Sequence, residues 1–464
     1  DQKFTVQQAL AVRDGKITAL GTTGQIRKMA GSKTQVIDLG GRTVIPGLID
    51  SHLHAIRAAS FFATETNWNG VRSLAEALDR IRASAKEKKP GEWIIVGGGW
   101  KPDQFKEKRR PTQAELTEAA GDHPAYVQEM YEWALMNQRG LDALNIKSDA
   151  DLPRGGKLDR DASGKIMGGV TGGIVPLFDK LPRPTLAEQV DGTKKFFREL
   201  NRLGMTGVSD PCGNNVVPET YDAINRVWRD KQLTVRVAYA ICGFNPPNEV
   251  EEYKKYLGLM PMGFGDDMMH FNGIGEQIIW AVNNVVKPKQ EDLERLYQIT
   301  KWAAERGYGL QFHSGTDAAS DAILTVFERV NREVPIGNLR WSLAHMNDVS
   351  AATLRRMKAL GMGWTMQDAM YFSGEETEKR VGDAIKRMPP VETAREIGVL
   401  EVLMLRSGRV VNKEQLADQI YGQGDEVGAN AIEVYVHRLR KKLEPAGVVI
   451  RTIRGLGYLL EKRA

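Results

Sequence analysis

The run Val44-Ile45-Pro46-Gly47-Leu48-Ile49-Asp50-Ser51-His52-Leu53-His54 limits what this chain can become more than any other stretch. An apolar segment turns a Pro-Gly corner and delivers two histidines spaced two residues apart. On an extended strand such residues point to the same side. His52 and His54 therefore enter one space, where they can share a metal ion. Two histidines on a surface loop is the competing reading of a bare H-x-H pair. The apolar lead-in, the corner and Asp50 favour the metal site.

V-I-P-G-L-I-D-S-H-L-H resembles the opening metal motif of the amidohydrolase superfamily, carried on the first strand of its (β/α)8 barrel. Longer-range signatures resemble its YtcJ-like branch, the amidohydrolase 3 group. The resemblance runs from residue 1 to about 398. It implies an α/β chain built on a TIM barrel, with a small N-terminal β-sandwich portion over residues 1–47 and the barrel over 48–399.

Length agrees, because 464 residues suit one large barrel with smaller modules better than one compact domain. An apolar fraction of 42% and a charged fraction of 27% are those of a globular chain. No run of about 18 apolar residues exists, so no membrane helix is expected. Cys212 and Cys242 are too few for a disulfide framework and point to a reducing compartment, the cytoplasm. The first residue is Asp1 rather than methionine, so residues are expected upstream.

Along the chain, A-L-A-V-R-D-G-K-I-T-A-L-G reads as a hairpin turning at Asp14-Gly15. Leu74, Leu78, Ile81 and Ala85 form an amphipathic stripe, with Ser73 and Glu76 as a capping box. Barrel units are expected at W-I-I-V-G-G-G-W (93–100) and over 124–141. Trp100 and Gln104 stand where relatives place substrate-lining residues, and a packing role fits them equally. Residues 150–175 read as a hairpin insertion over the barrel mouth. Asp210 ends a strand and is read as a helix cap rather than a site residue. His123 and His270 take no role.

Gly273-Ile274-Gly275-Glu276 places Glu276 where many superfamily members have a metal-bridging carboxylated lysine. A carboxylate serves as a hard bridging ligand without modification; a buried, salt-bridged glutamate is the alternative. His313 and His345 each end an apolar strand and match the family's fifth- and sixth-strand ligands. The resemblance thus implies one or two divalent ions, zinc foremost, on His52, His54, Glu276, His313 and His345, at the C-terminal ends of barrel strands. Glu276 is the catalytic candidate. The implied activity is hydrolysis of a carbon–nitrogen bond in a small non-peptide amide by a metal-bound hydroxide.

After residue 399 the family pattern stops before its eighth strand and that strand's general-base aspartate. Residues 400–464 instead resemble the winged-helix DNA-binding domain of OmpR/PhoB-type response regulators, through N-A-I-E-V-Y-V-H-R-L-R-K-K-L and R-T-I-R-G-L-G-Y. Ile432, Val436, Leu439 and Leu443 form its apolar stripe. Asn430, Val434, His437, Arg438 and Lys441 lie opposite, where the resemblance implies a major groove, and Arg451 and Arg454 lie where they would reach phosphates. Charge agrees: of the net +5, residues 438–464 carry +6. Here too the family segment is incomplete, because its opening sheet and full first helix are not seen. Two incomplete segments joined near residue 399 suggest a rearranged reading frame ahead of a natural fusion, with weak or absent turnover. A barrel without its eighth strand exposes two edges. The partners expected are an amide-type substrate, double-stranded DNA and a second copy in a homo-oligomer. A DNA-binding regulator and a hybrid without either activity are the alternative functions.

Overall fold

Seven parallel strands follow one another in the order of the sequence: β3 (Leu48–Asp50), β9 (Met205–Asp210), β10 (Arg236–Ile241), β11 (Met269–Ile274), β12 (Gln311–Thr316), β13 (Ser342–Asp348) and β14 (Gly363–Thr365). A parallel bridge from Ile274 to Leu310 links the first four to the last three. From β9 onward a helix separates each strand from the next, at Tyr221–Arg229, Glu249–Leu257, Gln290–Glu305, Asp317–Glu333 and Ala351–Ala359. This is the strand–helix repeat of a TIM-type barrel. Alternation builds it. On β12, Phe312 and Ser314 are fully buried, and Ser314 Oγ bonds Ser320 Oγ of the following helix at 2.8 Å. Gln311 and His313 point to the opposite side.

The computed structural model describes residues 6–283, 285–366, 369–405, 410–413, 415–417, 429–446, 448–453 and 456–462. Among these, β3 and β14 each have a strand partner on one side only. Leu48 and Ile49 are 51% and 75% exposed, so apolar side chains of the edge strand β3 are uncovered.

The expected barrel units at 93–100 and 124–141 are corrected. Their strands, β4 (Ile94–Val96) and β5 (Ala125–Glu129), pair with each other in a separate five-stranded sheet. It continues antiparallel through β6 (Trp133–Met136), β8 (Ile166–Thr171) and β7 (Lys157–Arg160). The whole sheet is an insertion between β3 and β9. Strand–helix rhythm does not reveal which sheet a strand joins, because apolar runs such as Ile94–Val96 are buried in either. The 150–175 hairpin belongs to this sheet as well. Its core gathers Trp68, Trp100, Phe105 and Val127.

The pairing of the cysteines is a second correction. Cys212 and Cys242 form a disulfide with Cα atoms 5.7 Å apart. They are 30 residues apart in sequence but follow the ends of the neighbouring strands β9 and β10. No helix among the described residues is long and apolar enough to cross a membrane.

The chain divides into two units, residues 47–348 with 356–386, and residues 1–46, 349–355 and 387–464. In the second unit β1 (Ala9–Arg13) and β2 (Lys16–Gly21) form the expected hairpin, with Asp14 and Gly15 at φ 53° and 73°. No structural break falls at residue 399. One helix, Val391–Leu405, runs through it. Its Glu392 and Glu396 pair with Arg438 and Lys442 of helix Ala429–Leu443, and Arg395 donates to Tyr435 Oη at 3.0 Å. The wing strands β16 (Val448–Ile453) and β17 (Gly457–Lys462) pair antiparallel, and the short strand β15 (Val410–Val411) adds to β17. Val411, Leu416, Ile432, Tyr435, Val436 and Leu439 pack beneath.

Candidate metal centre

Four imidazoles surround one carboxylate. Nε2 of His54 lies 3.3 Å from Glu276 Oε1. Nε2 of His52, Nδ1 of His313 and Nε2 of His345 lie 3.3, 3.3 and 3.1 Å from Oε2. All five expected side chains therefore meet: His52, His54 and Glu276 lie just beyond the C-terminal ends of β3 and β11, whereas His313 and His345 lie within β12 and β13.

Local backbone chemistry explains each placement. The Asp50 carboxylate accepts the His52 amide at 2.8 Å, turning the chain just after β3. Two glycines thread Glu276 inward. A Cβ on Gly273 would lie 2.0 Å from the Gly309 carbonyl, and one on Gly275 would lie 2.0 Å from the Pro211 carbonyl. The Gly-x-Gly-Glu pattern thus has a steric cause. His345 and Met346 adopt φ of 75° and 45°, a left-handed backbone that costs on the order of 1–3 kcal/mol per residue and aims His345 at the cluster.

Outer contacts set which nitrogen of each ring carries hydrogen. His52 Nδ1 donates to Gln311 Oε1 at 2.6 Å, and Gln311 Nε2 donates onward to Thr365 Oγ1 at 2.7 Å. His54 Nδ1 donates to the Cys212 carbonyl. Both leave an unprotonated Nε2 facing Glu276. Burial disfavours the charged rings. It outweighs the pull of Glu276, so His52 is lowered and His54 falls to about 4. Burial alone would raise Glu276, but hydrogen bonds from His313 and His345 hold it well below the usual carboxylate range. Gln311 was not singled out in the sequence. Its position two residues before His313 on one strand was the available signal.

This arrangement fits a divalent cation. His52 Nε2 and His345 Nδ1 are buried without a hydrogen-bond partner, and one donor atom each from His52, Glu276 and His345 lies within 4.8 Å of the others. Neutral imidazoles and one carboxylate are the donor set that zinc takes.

Other expected residues lie elsewhere. Trp100 is fully buried and donates Nε1–H to the Gln128 carbonyl at 2.7 Å. Gln104 donates to the Trp68 and Val71 carbonyls at 3.0 Å each. Both hold the inserted sheet together. Asp210 is a helix cap, though for an earlier helix than the one that follows it: Oδ2 accepts the Ile56 amide at 2.7 Å, and Oδ1 accepts the Cys212 amide at 2.7 Å. Burial pushes its carboxyl up to about 7. A folded value above the unfolded 3.8 adds stability that is full below about pH 3.8 and is lost as pH rises through 7. Roughly 4 kcal/mol should therefore disappear between pH 4 and 8, from about three pKa units at about 1.4 kcal/mol each. Urea unfolding of Asp210→Asn should lack this slope; an unchanged slope would reject the assignment.

In the C-terminal helix Val434 is 47% exposed, and His437 and Lys441 are exposed beside it on one face. Arg438 instead sits on the seam with helix Val391–Leu405, paired with Glu392. Arg451 pairs with Glu461 across the wing at 3.2 Å. The Asn430 side chain and Arg454 lie outside the described residues.

Parallel strands that gather histidines onto one carboxylate, from within β12 and β13 and from just beyond β3 and β11, define a barrel of the metal-dependent hydrolase type. The chain belongs to the amidohydrolase family, whose model matches residues 35–400. A second model, the C-terminal domain of transcriptional regulatory proteins, matches residues 390–460. The chain is similar to the N-substituted formamide deformylase of Arthrobacter pascens, 28% identical over 81% of this chain and 72% of the relative. Its end is similar to the transcriptional regulatory protein TctD of Salmonella typhimurium, 47% identical over 17% of this chain and 35% of TctD, about a third of that protein. Among solved structures, an uncharacterised metal-dependent hydrolase from Pyrococcus horikoshii shares the fold, with TM-score 0.57 and 19% identity over 92% of this chain and 86% of that one.

Proposed function

We propose that the barrel unit is a metal-dependent hydrolase of carbon–nitrogen bonds other than peptide bonds. His52, His54, Glu276, His313 and His345 would hold one or two ions, zinc first. The convergence of four imidazole nitrogens on the Glu276 carboxylate within 3.1–3.3 Å carries this reading. A divalent cation held there would supply a water of lowered pKa, about 7, and would polarise the substrate carbonyl. Gln311 and the Cys212 carbonyl keep the Nδ1 protons of His52 and His54 in place, so their Nε2 lone pairs face inward. Similarity to an N-substituted formamide deformylase favours secondary formamides as substrates.

The barrel is further proposed to end at seven strands, without the family's strand-eight aspartate, and the N-terminal hairpin to be part of a sandwich. Leaving-group protonation then lacks its usual donor, and turnover should be weak. Elemental analysis of the purified protein should find about one zinc or more per chain, with slow hydrolysis of N-benzylformamide. Absence of metal after loading with zinc would overturn the reading.

A second activity is DNA binding, favoured by the exposed face of Val434, His437 and Lys441 and by the similarity to TctD. The winged helix is proposed to begin with helix Val391–Leu405 rather than at residue 400, because that helix packs on the recognition helix. Lys441→Ala should weaken an electrophoretic shift of duplex DNA at low salt, reducing the salt slope by about one. No shift at low salt from the unmodified protein would exclude this activity.

A further inference from the structure

One helical turn past His54, a cavity of about 210 Å3 opens between the helix Ala55–Phe61 and the inserted sheet. It is smaller than the roughly 300–1,000 Å3 of sites for drug-sized ligands, so its occupant carries about one ring. Its apolar wall is made of two edge-to-face pairs, Phe61 with Phe178 at 5.3 Å and Phe62 with Phe196 at 5.4 Å. The Arg57 guanidinium and the Glu65 carboxyl line the same space. Among the described residues they form no ion pair with each other.

The Arg57 guanidinium is steadied rather than satisfied. Its hydrogen bond goes to the Asn214 carbonyl at 3.5 Å, and it lies 5.7 Å from the centre of the Tyr131 ring. Among the described residues most of its donor fork is therefore available to an incoming carboxylate, which it can meet with two parallel bonds. Glu65 is pressed against the backbone of Gly97, where a Cβ would lie 2.4 Å from Oε1. Burial raises its carboxyl to about 7 in spite of Arg57 and a hydrogen bond to the Gly97 backbone, so it cancels only part of the Arg57 charge.

We infer that this cavity binds the amine side of the substrate, and that the substrate class is N-acylated aromatic amino acids: the ring among the four phenylalanines, the carboxylate on Arg57, the amide toward the metal centre. The inference rests on the hydrolase reading for the position of the amide, but the cavity itself can be tested by binding alone.

Isothermal titration of the zinc-loaded protein with N-formyl-L-phenylalanine, N-formylphenethylamine and N-formylglycine separates the contributions. N-formyl-L-phenylalanine should bind at least about tenfold more tightly than the compound lacking the carboxylate and the one lacking the ring. Arg57→Gln should remove the advantage over N-formylphenethylamine, with zinc content and near-ultraviolet circular dichroism unchanged. Arg57→Lys, which keeps charge but loses the fork, should recover part of it. Equal binding of all three compounds, or an Arg57→Gln variant that still prefers the carboxylate, overturns the inference. Tight, Arg57-dependent binding without hydrolysis would support the cavity while counting against the hydrolase reading. Hydrolysis of N-formylphenethylamine with no Arg57-dependent preference would do the reverse.

Discussion

Glu276→Gln is expected to strip the protein of stoichiometric metal. Among the five clustered side chains Glu276 is the one carboxylate, and its two oxygens serve all four histidines. Glutamine has the same shape but no charge, and it turns an N–H donor toward imidazole lone pairs that Gln311 and Cys212 have fixed to face inward. Outer contacts to metal ligands are typically worth 10–100-fold in affinity. Loss of the single anionic ligand should exceed about 100-fold. Zinc measured after dialysis should fall from about one or more per chain to near zero. Retention of stoichiometric zinc would remove Glu276 from the ligand set and leave it a salt-bridged buried residue.

Phe312→Ala should produce the largest loss of stability. Phe312 is fully buried on β12, its ring 6.2 Å from Phe327 of helix Asp317–Glu333, which in turn lies 5.0 Å from Trp341. Truncation removes the transfer energy of the ring and leaves a cavity in a packed strand–helix interface, at about 3–5 kcal/mol. Domains are typically stable by roughly 5–15 kcal/mol, so the urea midpoint should drop by a large fraction. Because β12 also carries Gln311 and His313, metal affinity should fall with it. A loss below about 1 kcal/mol would show that Phe312 does not hold the strand.

The metal-centre candidates were legible because they rest on local rules. Strand alternation was expected to put His52 and His54 on one side, but β3 ends at Asp50 and the two rings meet through the turn and helix start after it; the Gly-x-Gly approach to Glu276 has a steric reason visible in two close carbonyls. Gln311 was equally reachable by counting two residues back from His313. Arg438 was misjudged for a related reason. A helical wheel gave its angle on the helix, but its neighbour Glu392 belongs to a helix whose continuity through residue 399 the family patterns concealed.

By itself the sequence determined the chemistry of the chain: histidines and a carboxylate on or just after parallel strands, a basic end, and an apolar stripe for a winged helix. These follow from periodicity and side-chain type, which act over a few residues. Tertiary structure alone decided which strands share a sheet. It moved β4 and β5 out of the barrel, joined Cys212 to Cys242 across neighbouring strand ends, and made a cavity from Arg57 and four phenylalanines out of three distant segments. Such pairings depend on long-range hydrogen bonding and burial. An apolar run satisfies burial equally well in either sheet, so its sequence carries no record of the choice.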